Sequence, residues 1–135
     1  MILNEYGKII YDELIKTIEK RPYVFFDTFA IMPNHIHVLM TLKADTARRV
    51  PTVEQFGKPT KNSISSIVRA FKSATTNAVR KYVGTQRAVS ENMYNIWQRS
   101  FYDHIIRNEE DYLRIWQYID ENPAKWTEDD YYVKL

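Results

Sequence analysis

"YVFFDTFAIMPNHIHVLMTL", residues 23–42, decides how this chain folds. Its first half, "YVFFDTFAIM" (23–32), is dense in the aromatic and branched side chains that suit a pleated, half-buried strand. Met32-Pro33-Asn34 is a turn signal, and "HIHVLMTL" (35–42) reads as a second strand. The short link lays the two strands side by side. Two of the chain's three histidines, His35 and His37, sit on that second strand. Residues i and i+2 of a strand project from one face, so the two rings point the same way and are close enough to share one ion. Ile36, Val38 and Met40 point to the opposite face and are expected to anchor the strand in the core. Two readings stand: a face built to hold a divalent cation, and a pair of histidines that hydrogen-bond locally within a sheet.

Outward from the hairpin, Ile9, Ile10, Leu14 and Ile18 fall near helical spacing, predicting an amphipathic helix over 6–20 that Pro22 stops. Residues 43–61 contain Pro51, Gly57, Pro59 and five basic residues without a period, and read as a loop. Asn62 or Ser63 caps a predicted helix reaching about Val83, with Ile64, Ile67, Val68, Phe71 and Ala74 on one stripe and Gly84 as its end. "MYNIWQR" (93–99) alternates like a third strand. A last helix begins at Asn108, whose cap and following acidic residues complement the helix dipole, and Pro123 marks its end. The order helix, strand, strand, helix, strand, helix predicts an α+β domain, with helices packed on a small, mainly antiparallel sheet.

At 135 residues the chain has length for one domain. It has no cysteine, which excludes a disulfide framework and a thiolate metal site and fits a reducing cytoplasm. No apolar run approaches membrane-spanning length, so a soluble cytoplasmic protein without membrane contact is expected. The net charge of +2 hides a division. Residues 1–42 carry four basic and five acidic side chains (−1), residues 43–107 twelve and four (+8), and residues 108–135 three and eight (−5). A basic middle between acidic ends reads either as a patch for a polyanion or as a solvated helix face plus a loop.

On the last helix Tyr118 and Asn122 are four apart and therefore share a face. A phenol beside an amide oxygen suits attack on a phosphate held by a metal. The competing reading makes Tyr118 a core aromatic beside Leu113, Ile115 and Ile119, and Asn122 a helix end before proline.

Three ordered blocks, spread over nearly the whole chain, resemble one family. They are Met32-Pro33-Asn34-His35-Ile36-His37; Trp97-Gln98 with Phe101, Asp103 and His104; and Tyr118-Ile119 with Asn122-Pro123. Together they resemble the HUH-type single-strand DNA transposases, in particular the REP-associated tyrosine transposase branch. The opening "LNEYGKII" is similar as well.

That resemblance implies a ferredoxin-like fold. It implies that His35 and His37 bind a metal, with Asn122 as third ligand one turn beyond Tyr118, the nucleophile. The implied metal is Mg2+, with Mn2+ able to substitute, although two imidazoles suit manganese better than oxygen-preferring magnesium. The implied reaction is Tyr118 attack on single-stranded hairpin DNA, giving a 5′-phosphotyrosine and a free 3′-hydroxyl. Phosphate contacts are expected from Arg48, Arg49, Lys58, Lys61, Arg69 and Lys72. No residue is assigned as general base; His104, beside Asp103, reads as a catalytic group or as a hydrogen-bonded structural element.

Family members usually carry another strand ahead of the "LNEYG" segment, and this chain starts immediately before that segment. The expected sheet thus lacks its usual first strand. Another segment, a partner chain in a homodimer or a truncated copy would each account for the gap, and in a dimer Tyr118 could serve the partner's histidines. Two further readings are a non-catalytic hairpin-DNA binding protein and a metal-dependent phosphodiesterase that activates water.

Overall fold

The computed structural model describes residues 2–43, 63–86 and 96–128. Three α-helices pack with a two-stranded antiparallel sheet, an α+β architecture of the expected class. The elements are α1 (Glu5–Lys20), β1 (Val24–Ile31), β2 (Ile36–Leu42), α2 (Ile64–Gln86) and α3 (Glu109–Glu121), which runs on into a 3-10 turn, Asn122–Glu128.

The hairpin forms as its sequence dictates, and the Met32 N–H donates to the His35 carbonyl at 2.8 Å to close the connection. Its register contains one irregularity. Phe26 pairs with Met40 and Thr28 with Leu39, so Asp27 is an extra residue without a partner, a β-bulge. The bulge restores the apolar pattern. Val24 and Phe26 before it share a face with Phe29 and Ile31 after it, whereas strict alternation would put the two pairs on opposite sides. The Asp27 carboxylate accepts from the Thr41 hydroxyl at 2.7 Å and from the Tyr112 hydroxyl at 2.9 Å, tying the bulge to β2 and to α3.

Each face of the hairpin has its own cover. On the Phe29 face lies α1, with Tyr11 tilted against the Phe29 ring at 5.8 Å, and α2 packs against α1, where Tyr6 meets Tyr82 edge-on at 5.9 Å. On the other face, the one carrying the histidines, α3 closes a core of Ala30, Met32, Leu39 and Ile119, flanked by Ile106, Tyr112, Ile115 and Trp126. Anchoring by Ile36, Val38 and Met40 therefore needs correction: all three are only half-buried, and the deepest residue of β2 is Leu39 at 5% exposure, on the histidines' own face. Because α3 seats directly on that face, it is part core and part site.

Caps match the sequence reading. Asn4 accepts from the Gly7 N–H at 2.9 Å, Ser63 from Ser66 at 3.1 Å and Asn108 from Asp111 at 2.8 Å. In α2 the buried residues Ser63, Ile67, Phe71, Thr75 and Val79 recur every fourth position, the spacing of one helical stripe. Two stop signals are overridden. Gly84 lies inside α2, in open space, where a glycine weakens a helix without ending it. Pro123 tightens the end of α3 into the 3-10 turn, because proline fits a first turn where its missing N–H is not needed.

The third strand over 93–99 is also corrected: residues 93–95 lie outside the described residues, and 96–99 are not a strand. Trp97 instead stacks at 5.6 Å on Phe71 of α2 and donates its indole N–H to Thr75 at 2.7 Å. The Gln98 and Ser100 carbonyls, which a ladder would need, accept from Lys72, and Ser100 has φ 67°, outside strand geometry.

Ile67, at 1% exposure, tests the layer of α1 and α2. Ile67→Ala should lower unfolding stability by about 2–5 kcal/mol in a urea titration. A loss under about 1 kcal/mol would mean that the stripe is not a packed interior.

Candidate functional site

His35 and His37 emerge from β2 beside each other, with Nε2 atoms 3.0 Å apart and rings edge-to-face at 4.6 Å. Across the ladder from His37 stands Ala30, a small buried neighbour. Asn34, in the turn, places its amide oxygen 2.7 Å from His35 Nδ1. A carbonyl oxygen only accepts, so Nδ1 of His35 carries the proton and its Nε2 offers a lone pair toward His37. This outer contact fixes a histidine's tautomer for metal binding.

The phenol comes from α3. Ile119 is buried at 3%, and its neighbour Tyr118, rotated about 100° around the helix, lies on the flank above the imidazoles. Its ring meets His37 edge-on at 5.5 Å, and the residue is 50% exposed, so its hydroxyl is open to solvent. Asn122, three residues beyond Ile119, returns to the buried side of the helix at 4% exposure. Its Nδ2 has no hydrogen-bond partner among the described residues. Trp126, carried back by the 3-10 turn, tilts over His35 at 6.0 Å.

The donor set suits a divalent cation. Two nitrogens each about 2.1 Å from one ion, at about a right angle, stand about 3.0 Å apart, which is the spacing of the imidazole pair. A half-turn of the Asn122 terminal torsion exchanges its nitrogen and oxygen, so the unclaimed end of that buried amide can present an oxygen. Among the described residues no three His, Cys, Asp or Glu side chains gather, so this is a site of two imidazoles and an amide rather than of carboxylates.

The remaining sequence candidates divide. Arg48, Arg49, Lys58 and Lys61 lie outside the described residues. Arg69 and Lys72 sit on α2, which packs with α1 away from the histidine face; Arg69 has interactions of its own, and the Lys72 ammonium is bonded to the Gln98 and Ser100 carbonyls. His104 pairs with Asp111 at 2.7 Å, not with its neighbour Asp103, and so fastens the segment before α3 to the first turn of that helix.

The sequence reading missed Asn34 as the partner of His35, although it precedes that histidine directly. It missed Trp126 because Pro123 was read as the end of the helix. It missed the Tyr112–Asp27 clamp, which spans 85 positions and leaves no local trace. That hydrogen bond, with burial second, raises the Tyr112 hydroxyl above its ordinary pKa and keeps it a donor.

Comparison with known proteins places these residues in context. The chain is 36% identical over 118 residues to an uncharacterised protein of Haemophilus influenzae, an alignment covering 83% of this chain and 61% of that one. It is 26% identical over 124 residues to the REP-associated tyrosine transposase of Escherichia coli, covering 92% of this chain and 58% of the relative. The second match supports a distant relationship to the REP-associated tyrosine transposases. The chain spans about three-fifths of the length of the curated relatives it matches. No family model and no solved structure matches it.

The Asp111 carboxyl sits below its ordinary pKa, first because His104 hydrogen-bonds to it and then because Arg114 does. Its contribution to stability is therefore complete above the unfolded value near 3.8 and is lost as pH falls through the lower folded value. Acid unfolding monitored by circular dichroism should show Asp111→Asn with a flatter stability profile than the parent in that window. Superimposable profiles would refute the pairing.

Proposed function

We propose that this chain is a metal-dependent, single-domain DNA nickase and strand transferase that uses Tyr118 as nucleophile on single-stranded hairpin DNA. One observation carries the reading: an imidazole pair at the spacing of metal ligands, with a solvent-open phenol 5.5 Å from one of its rings. The distant similarity to a tyrosine transposase supports it.

In this reading His35, His37 and Asn122 hold the ion, Mg2+ or Mn2+, and Asn34 keeps the His35 proton on Nδ1. When bound, the cation supplies Lewis-acid stabilisation of charge on the non-bridging phosphate oxygens. Tyr118 attacks phosphorus from the exposed flank of α3. A phenol-oxygen–phosphorus bond forms, the bond from phosphorus to the 3′-oxygen breaks, and the phenol proton passes to solvent. The products are a 5′-phosphotyrosine and a strand ending in a 3′-hydroxyl. Attack by a 3′-hydroxyl on the phosphotyrosine reverses the step and joins strands. A covalent intermediate conserves the phosphodiester energy, which hydrolysis by water would discard. The homodimer that would let Tyr118 act on a partner's histidines is part of the same proposal.

Labelled hairpin oligonucleotides with single-stranded flanks, incubated with Mn2+ or Mg2+, should yield a protein–DNA adduct that survives denaturant. Tyr118→Phe should abolish the adduct, and His37→Ala should reduce it at least about a hundredfold, the scale of losing a group that stabilises transition-state charge. Cleavage that persists in Tyr118→Phe would transfer the role of nucleophile to water. Binding without cleavage in any flank would leave a hairpin-binding protein and end the enzymatic reading.

A further inference from the structure

A second concave surface lies on the layer of α1 and α2, away from the histidine face. It is a cleft of about 440 Å3 between α2 and the segment 97–100, lined by Lys72, Ser73, Asn77, Arg80, Gln98 and Arg99 among others. Its described lining holds three cationic side chains and no acidic one.

The cleft wall is fastened in place. Trp97 is stacked on Phe71 and bonded to Thr75, so the indole is structural and its backbone is fixed. Lys72 reaches across to the carbonyls of Gln98 and Ser100. Ser100 holds a left-handed backbone, φ 67°, that costs a non-glycine residue about 1 kcal/mol and persists where surrounding contacts enforce it.

The Lys72 contacts also have an electrostatic consequence. Its partners are neutral carbonyls, so the ammonium keeps its full charge, and with three donors it has one left beyond the two carbonyls. Arg80 has an interaction of its own. Ser73, Asn77 and Arg99 have no hydrogen-bond or ion-pair partner among the described residues, and they add a hydroxyl, an amide and a guanidinium to the same hollow. A fixed cation with neutral donors around it and no competing carboxylate is the chemistry that receives phosphate oxygens.

We infer that this cleft binds the phosphodiester backbone of DNA, holding the strand by charge and hydrogen bonds on the α2 layer while the histidine face acts elsewhere on the same molecule. The inference deepens the proposed function by adding a second, non-catalytic DNA contact. It is tested by binding alone, with chelator present and in Tyr118→Phe, so failure of the chemistry leaves it standing and its own failure leaves the chemistry untouched.

The probe is a fluorescein-labelled hairpin oligonucleotide with a single-stranded flank, followed by anisotropy between 0.05 and about 0.3 M salt. Arg99→Ala, on an exposed residue, avoids the Lys72 fastening. It should lower the slope of log K against log salt by about 0.7–0.9, one phosphate contact, which is about five- to eightfold weaker binding at 0.1 M relative to 1 M salt. Asn77→Ala should weaken binding with little change in slope. Lys20→Ala, an exposed cation on α1 outside the cleft lining, controls for net charge. Unchanged affinity and slope in Arg99→Ala, or an equal loss in Lys20→Ala, would overturn the assignment.

Discussion

Seating Ile119 among Ala30, Met32 and Leu39 is the contact on which the candidate site depends. A helix turns about 100° per residue, so burying one side chain fixes the bearing of its neighbours. With Ile119 facing the sheet, Tyr118 has to lie on the flank beside His37, and Asn122, three positions on, has to return underneath. The Tyr112–Asp27 hydrogen bond holds the same helix nearly two turns earlier. Two attachments to one sheet prevent the helix from rolling, and a roll is the motion that would carry the phenol away from the imidazoles.

The molecule thus keeps unlike chemistry on unlike layers. On the histidine face there is little charge near the imidazoles: an alanine, an indole, a phenol and a buried amide surround them. On the α2 layer, Lys72, Arg80 and Arg99 border one hollow. A low-charge environment leaves imidazole lone pairs for a cation, whereas a basic surface repels cations and attracts polyanions.

The hairpin, the three helices and their caps were legible because each rests on local signals: apolar period, turn residues and capping side chains. The same-face relation of His35 and His37 follows from strand period alone. Other features were illegible for physical reasons. Residues 96–99 alternate like a strand, yet tertiary bonds from Trp97 and Lys72 claim them for α2. Strand periodicity separates two faces but does not say which one a helix will cover, so Leu39 rather than Ile36, Val38 or Met40 became the deepest residue of β2. A proline marks a change of helical geometry and not always a stop, and the 3-10 continuation that carries Trp126 was hidden behind Pro123.

Asp27 has an odd standing within β1. Because it faces no residue on β2, it could be excised and every other pairing from Val24 to Ile31 would survive on its present side. Excision of any paired residue of that strand would instead leave the ladder one short, and one flank of the hairpin would turn inside out. Geometrically the aspartate is spare. It is the carboxylate, holding Thr41 with one hydrogen bond and Tyr112 with another, that gives this surplus residue its use.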